Sequence, residues 1–169
     1  MKEFVMEKPI RLAVSSLLLA AAGIAQAADP ADCGGFAATD AAPFLGTGAA
    51  QVVRTTRKVT PTLWTCSYAV GKRAPAVVFN IEASPSARQA AEELERYREN
   101  LAVAGGTAAF KDRLPTGAYS DIMGVGDEAV WTDVNGALTV RKGRFTIQVT
   151  APQGKLAQLK LAKAVAAKF

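Results

Sequence analysis

The sequence contains no histidine. This absence excludes Ser-His and Cys-His nucleophilic devices, imidazole metal sites and the commonest general base of enzymes. Cysteine is almost as scarce: Cys33 and Cys66 are the only two. If they are oxidised to a disulfide, thiolate chemistry and cysteine-ligated zinc are excluded as well. Carboxylates then remain for acid-base chemistry, and we predict no catalytic residues, no metal site and no cofactor.

The chain also lacks a strong charge of either sign. It carries 20 basic and 15 acidic residues, a formal net charge of +5, and the basic residues are dispersed. This excess is too small to indicate a nucleic-acid-binding protein. Beyond residue 27 there is no apolar run long enough to cross a bilayer, so we predict no integral membrane segment.

The first 27 residues have the pattern of a signal peptide. Basic residues precede an apolar run over residues 12–24, and Ala25-Gln26-Ala27 supplies the small residues of a cleavage site. We predict cleavage after Ala27, leaving residues 28–169 as one domain in the periplasm or outside the cell. An uncleaved signal anchor is the alternative. Ile24 follows Ala21-Ala22-Gly23, where a lipoprotein would have cysteine, so we predict no lipid anchor.

In an exported chain, a lone pair of cysteines such as Cys33 and Cys66 is most simply one disulfide. Two buried free thiols or a redox pair are the alternatives. The C-x-x-C spacing that favours redox chemistry is absent. We therefore predict a structural disulfide.

Residues 124–150 predict three short strands joined by two tight turns. Asn135-Gly136 favours a type I′ turn, in which both central residues have positive φ, and Lys142-Gly143 favours a second tight turn. Two-residue loops would place Trp131 opposite Val140 and Arg141 opposite Arg144. Alternation then assigns six residues to a core face: Trp131, Leu138, Val140, Phe145, Ile147 and Val149. It assigns seven to a solvent face: Val130, Thr132, Thr139, Arg141, Arg144, Thr146 and Gln148.

The rest of the exported chain predicts helices and strands in separate runs. A short helix over residues 39–46 precedes strands at 51–59, 63–70 and 76–83. A long helix capped by Ser84 then runs to Gly105-Gly106, and a closing helix follows Pro152. The predicted class is α+β: an antiparallel sheet with helices packed on one face, in the order α-βββ-α-βββ-α.

Two glycines and two carboxylates lie where the meander begins. Gly124 and Gly126 precede Asp127, which predicts a tight turn with Asp127 bonded to nearby backbone amides. A phosphate loop is disfavoured because it needs a following helix. Asp127 and Glu128 are adjacent, so in a strand they point to opposite faces and cannot form an acid-base pair. We predict that these residues, like Asn135 and Gly136, have a structural role in turns.

Arg141, Lys142 and Arg144 gather around one predicted turn. Like charges facing each other across strands cost free energy unless an anion or an acidic partner lies between them. We therefore take Arg141, Lys142 and Arg144 as the candidate binding surface, with an ordinary solvated hairpin tip as the alternative.

Three short pieces resemble a domain family of unknown function found in actinobacterial cell-envelope lipoproteins. They are Cys33 with the helix that ends in Leu45-Gly46, Trp64-Thr65-Cys66-Ser67-Tyr68, and Gly124-Val125-Gly126-Asp127-Glu128-Ala129 leading to residues 138–143. The resemblance implies an exported α+β domain with Cys33 and Cys66 paired, and it implies no substrate. The chain departs from that family in lacking a lipobox.

These features favour a non-enzymatic exported module that binds an unknown protein partner in the cell envelope, as an inhibitor, an immunity protein or an accessory protein. The first alternative is a periplasmic carrier of a small anionic or apolar ligand. The second is an enzyme that works through aspartate and glutamate alone.

Overall fold

The computed structural model describes residues 28–105, 119–133, 135–150 and 154–169. The predicted signal peptide, residues 1–27, lies outside these ranges. The described elements begin with a 3₁₀ segment at Pro30–Gly35. The helices are α1 (Ala38–Leu45), α2 (Ala87–Gly105) and α3 (Lys155–Ala166). The strands are β1 (Val52–Lys58), β2 (Leu63–Val70), β3 (Val77–Ala83), β4 (Tyr119–Asp121), β5 (Glu128–Thr132), β6 (Ala137–Lys142) and β7 (Phe145–Thr150).

The seven strands form one sheet in the order β1-β2-β3-β7-β6-β5-β4, and every neighbouring pair is antiparallel. Two meanders, β1–β3 and β4–β7, meet where β3 pairs with β7. The α+β class and the antiparallel sheet are therefore confirmed. The predicted order needs one change, because the short strand β4 adds a fourth member to the second meander.

One face of the sheet carries the main core. All six meander residues predicted for the core face are buried. The same core contains Phe36, Tyr68 and Phe79, whose rings pack edge to face or stacked with centroids 5.5–5.9 Å apart. Ala41 of α1 and Leu161 of α3 are buried in it. Helices α1 and α3 therefore pack on this face.

Helix α2 lies on the opposite face, so the expectation of helices on one face holds only for α1 and α3. Val130, Thr132 and Thr139, predicted to face solvent, are at most 6% exposed. The chain leaves β3 at the centre of the sheet and returns at β4, the far edge. A helix in this connection crosses a face of the sheet, and α2 crosses the one that α1 and α3 leave open.

The hairpin registers differ from the predicted ones by two residues. Trp131 pairs with Leu138 rather than Val140, and Arg141 pairs with Thr146 rather than Arg144. The β5–β6 loop is residues 133–136, four residues instead of two. Among its described residues only Gly136 has a positive φ, +62°, so the predicted type I′ turn at Asn135-Gly136 is wrong. A two-residue slip leaves every side chain on its predicted face, because side chains alternate with a period of two.

The Cys33–Cys66 disulfide is confirmed, and it fastens the segment Pro30–Gly35 to β2. The Tyr68 hydroxyl donates a hydrogen bond to the Phe36 carbonyl, 2.5 Å away, beside this link. Burial raises the pKa of Tyr68 to about 12, so the phenol stays a neutral donor. In the part of the chain that the structure describes, no helix is both long and apolar enough to span a bilayer.

The start of α2 lies two residues later than predicted. Ser86 precedes the first helical residue, and its hydroxyl accepts a hydrogen bond from the Gln89 amide at 3.1 Å. Ser86 is therefore the capping residue. The predicted cap, Ser84, is buried and instead donates its hydroxyl to Glu93 of α2 at 2.5 Å. Ser86 therefore caps the first turn of α2, and Ser84, just after β3, ties this end of the strand to the helix.

Candidate functional site

The predicted basic surface at the β6–β7 turn is largely neutralised by carboxylates. The Arg141 guanidinium lies 2.7 Å from Glu128 and 3.3 Å from Asp127, and its side chain is only 14% exposed. Lys142 Nζ lies 2.9 Å from Asp127. Two of the three predicted binding residues are therefore engaged within the fold.

Arg144, the third member, is separated from this network. Its guanidinium lies 5.1 Å from the centre of the Phe145 ring, and its backbone carbonyl accepts a bond from the Ser84 amide. The observed register places Arg141 opposite Thr146, so the predicted repulsion between Arg141 and Arg144 does not arise. The fold therefore contains no repulsion here that a bound anion or an acidic partner would have to relieve.

The carboxylates of Asp127 and Glu128 are held ionised by these contacts. Hydrogen bonds from Lys142 and the Gly143 amide lower the pKa of Asp127. Partial burial raises the pKa of Glu128, but hydrogen bonds from Arg141 and Arg98 outweigh it and the net shift is downward. Both carboxylates are therefore negatively charged at neutral pH. A general acid needs a proton at that pH, and neither residue retains one.

The glycines of the predicted turns adopt conformations that favour glycine. Gly124 and Gly126 have φ of +76° and +63°, and they place Asp127 beside the β6–β7 turn. There the Asp127 carboxylate accepts a bond from the Gly143 amide at 2.7 Å. Asn135 acts within its own loop, where its side-chain oxygen accepts bonds from Thr132 and from the Ala137 amide.

Strand β1 forms an exposed edge of the sheet. At the two ends of β1, the Gln51 carbonyl accepts a hydrogen bond from the Gly71 amide, and the Val59 amide donates to the Leu63 carbonyl. In an antiparallel pair, alternate residues direct both backbone groups to the same side. The backbone groups of the odd-numbered residues of β1 therefore bond to β2. The amides and carbonyls of Arg54, Thr56 and Lys58 point outward, away from the sheet. Within the described ranges, no strand pairs with this edge.

Side chains give the β1 edge a positive charge on both faces. Arg57 projects to one face of the sheet, and Arg54 and Lys58 project to the other. Arg54 pairs with Asp32 at 2.8 Å, and Lys58 Nζ lies 5.4 Å from the Trp64 ring centre. Six of the seven β1 residues are exposed. The sequence predicted a strand at residues 51–59 but not its place at an edge, which depends on the pairing of the whole sheet.

No group of three or more cysteine, aspartate or glutamate side chains in the described ranges is placed to hold a metal ion. Comparison of the chain with known protein families, curated proteins and solved structures finds no match. The resemblance to the actinobacterial lipoprotein domains stays a prediction.

Proposed function

We propose that this protein is a non-enzymatic binding module of the cell envelope that holds an extended, acidic segment of a partner protein along β1. The observation that supports this proposal is the row of outward backbone groups at Arg54, Thr56 and Lys58 on an exposed edge strand. An added strand pairs with such groups through main-chain hydrogen bonds, and side chains beside the edge select the sequence.

The charge beside this edge favours an acidic partner. Arg57 is exposed and forms no ion pair with any residue that the structure describes, and Lys58 carries its ammonium beside the Trp64 ring. Basic residues on an edge strand also discourage pairing between two copies of the same chain, because like charges would face each other. A partner strand with glutamate or aspartate opposite Arg57 and Lys58 is attracted by these charges, whereas a second copy of β1 is repelled.

The disulfide supports the predicted location. Disulfides form and persist in oxidising compartments such as the bacterial periplasm. Together with the predicted signal peptide, it favours a periplasmic or secreted protein, in line with the resemblance to cell-envelope domains. A role in the envelope as an inhibitor, an immunity protein or an accessory subunit is consistent with an exposed strand as the contact surface.

The test is capture of partners from an envelope extract by four immobilised forms of the exported chain. Wild type is compared with Arg57→Glu/Lys58→Glu, with Thr56→Pro, and with the control Lys72→Glu/Arg73→Glu, which makes the same charge change in the exposed β2–β3 turn. Circular dichroism verifies that each form is folded.

We expect wild type and the control to retain the same protein, and both β1 variants to lose it. The charge reversal should mainly slow association with the partner. The difference from wild type should become smaller as added salt screens the charges. Equal capture by all four forms, or loss with the control alone, contradicts the proposal.

A further inference from the structure

A cavity of about 370 Å³ lies between α2 and the face of the sheet that α2 crosses. Its volume is that of a small-molecule site. The sheet supplies Asn80, Gln148 and Thr146, and α2 supplies Glu93, Leu94 and Tyr97. None of these residues belongs to the β1 edge, so this cavity is independent of the proposed protein-binding surface.

The polar groups of the cavity form an ordered array. Asn80 is directly opposite Gln148, and Gln148 is directly opposite Thr139, so two amides and a hydroxyl lie in one row across three strands. The Thr65 hydroxyl donates to the Asn80 side-chain oxygen at 2.8 Å. This bond orients the amide so that its NH₂ group is the remaining donor. The sheet therefore presents donors and acceptors at fixed spacing.

Thr146 adds a group that lacks a partner. Its hydroxyl oxygen is buried and has no hydrogen-bond partner among the described residues. A buried hydroxyl without a partner costs free energy, which a bound molecule with a complementary polar group relieves. Glu82 lies directly opposite Thr146 and also lines the cavity. A ligand with its own hydroxyl or amide would satisfy this group.

The charge of the described lining disfavours an anionic ligand. Glu82 and Glu93 line the cavity, and no lysine or arginine is among the lining residues that the structure describes. These two carboxylates would repel an anion. The Glu93 carboxylate already accepts bonds from Ser84 and from Gln89, at 2.5 and 3.2 Å. Because the Glu93 carboxylate already has these two donors, a cationic ligand is not required to satisfy it.

We propose that this cavity binds a neutral, polyhydroxylated ligand of mono- or disaccharide size. Amide, carboxylate and hydroxyl side chains on the sheet match a ligand whose hydroxyls both donate and accept. Tyr97 and Leu94 on α2 supply the apolar side of the cavity, which suits the C–H face of a sugar ring.

The test is a titration of isotope-labelled protein followed by NMR. The neutral probes are glucose, N-acetylglucosamine and maltose, and the charged probes are spermidine and glucuronate. We expect at least one neutral probe to shift the signals of Thr139, Thr146 and Gln148 in a saturable manner, and neither charged probe to do so.

Thr146→Val is the decisive variant, because it removes the hydroxyl with little change of shape. It should bind the sugar about fivefold more weakly, the effect of one hydrogen bond, without loss of stability since that hydroxyl has no partner to lose. Thr150→Val, on the same strand and face but outside the cavity, should bind like wild type. Gln148→Ala provides a second variant with the same expected loss.

Three results overturn the proposal. These are saturable shifts from spermidine or glucuronate in place of the neutral probes, unchanged affinity in both Thr146→Val and Gln148→Ala, and no shift at these residues with any neutral probe.

Discussion

Gly126 is the residue at which backbone conformation and packing most clearly demand glycine. Its φ is +63°, and a Cβ atom would lie 2.4 Å from Val140 Cγ1 and 2.5 Å from the Arg141 carbonyl oxygen. Gly124 has a similar φ of +76°, but a Cβ atom there would meet nothing within 4 Å. The two glycines therefore separate the cost of a positive φ from the cost of a close backbone approach.

We expect Gly124→Ala to lower the free energy of unfolding by about 1–2 kcal/mol, the cost of the left-handed conformation alone. Gly126→Ala should lower it by about 3 kcal/mol or more, because the new methyl also displaces the β6 backbone. Urea denaturation of both variants measures the difference. Equal losses would mean that β6 does not approach Gly126 as closely as described.

Asp127 shows how far sequence reasoning reaches at this scale. The glycines beside it predicted a tight turn in which nearby backbone amides bind the carboxylate. The amide that binds it belongs instead to Gly143, which is 16 positions along the chain in the next hairpin. The Asp127 amide also donates a hydrogen bond to the Arg141 backbone carbonyl, 2.8 Å away. Such pairs depend on strand register, so local sequence could not identify them.

The lowered pKa values of Asp127 and Glu128 predict a loss of stability in acid. A carboxyl whose pKa is lower when folded contributes stability at neutral pH, and this contribution is lost as the pH falls through the folded pKa. We therefore expect the free energy of unfolding to decrease below about pH 5 and to continue decreasing towards pH 3.

Glu128→Gln tests this reasoning. It should cost about 1–2 kcal/mol at pH 7, because bonds to charged groups are replaced by weaker ones, and its stability should depend less on pH. Glu99→Gln, on the exposed side of α2, should behave like wild type. Denaturation at pH 7 and pH 3 checks both. Full wild-type pH dependence in Glu128→Gln would contradict this role of the Glu128 carboxylate.

At the scale of elements, the pairing of β1 predicts unequal effects for proline substitutions at two neighbouring positions. The Thr55 backbone faces β2, whereas the Thr56 amide points outward. Proline is tolerated on an edge strand where its missing amide would face solvent. Thr55→Pro should therefore destabilise by about 3 kcal/mol, and Thr56→Pro by much less. Thermal unfolding of the two variants measures both losses. A larger loss in Thr56→Pro would mean that the Thr56 backbone, and not that of Thr55, faces β2.

The hairpin loops show why strand faces were predictable and register was not. A turn signal such as Asn135-Gly136 locates a turn but does not determine the loop length. The alternating pattern selects between registers that differ by one residue, because that slip would expose the core. A slip of two residues preserves every face, so the pattern is equally compatible with the predicted and observed pairings.

Helix α2 shows a second limit of the sequence pattern. Ala90 and Leu94, four residues apart on one side of the helix, are buried, and an apolar stripe of this kind indicates one buried side. The stripe does not specify which face of the sheet receives it. Thr132 and Thr139 are polar, so alternation assigned them to solvent, although α2 crosses their side of the sheet and both are buried. Only the route of the chain from β3 to β4 decides this.

At the scale of the whole molecule, the α+β class, the antiparallel sheet and the disulfide followed from the sequence. Separate runs of strands and helices and an isolated cysteine pair are sufficient for those conclusions. The candidate site did not follow. The chain shows β1 only as a polar strand, and its place at the edge results from the pairing of β3 with β7, about 70 residues apart in the sequence. The position of the edge is thus a property of the complete topology.

The most direct test of the proposed function is residue-resolved amide hydrogen exchange of β1, with and without the captured partner. In the free protein, the amides of Arg54 and Thr56 should exchange fast, and those of Val53, Thr55 and Arg57 slowly, because only the latter are bonded to β2. Binding should slow Arg54 and Thr56 by at least about tenfold, since an added strand protects the amides that point outward. A complex that forms while Arg54 and Thr56 continue to exchange as in the free protein would contradict the account.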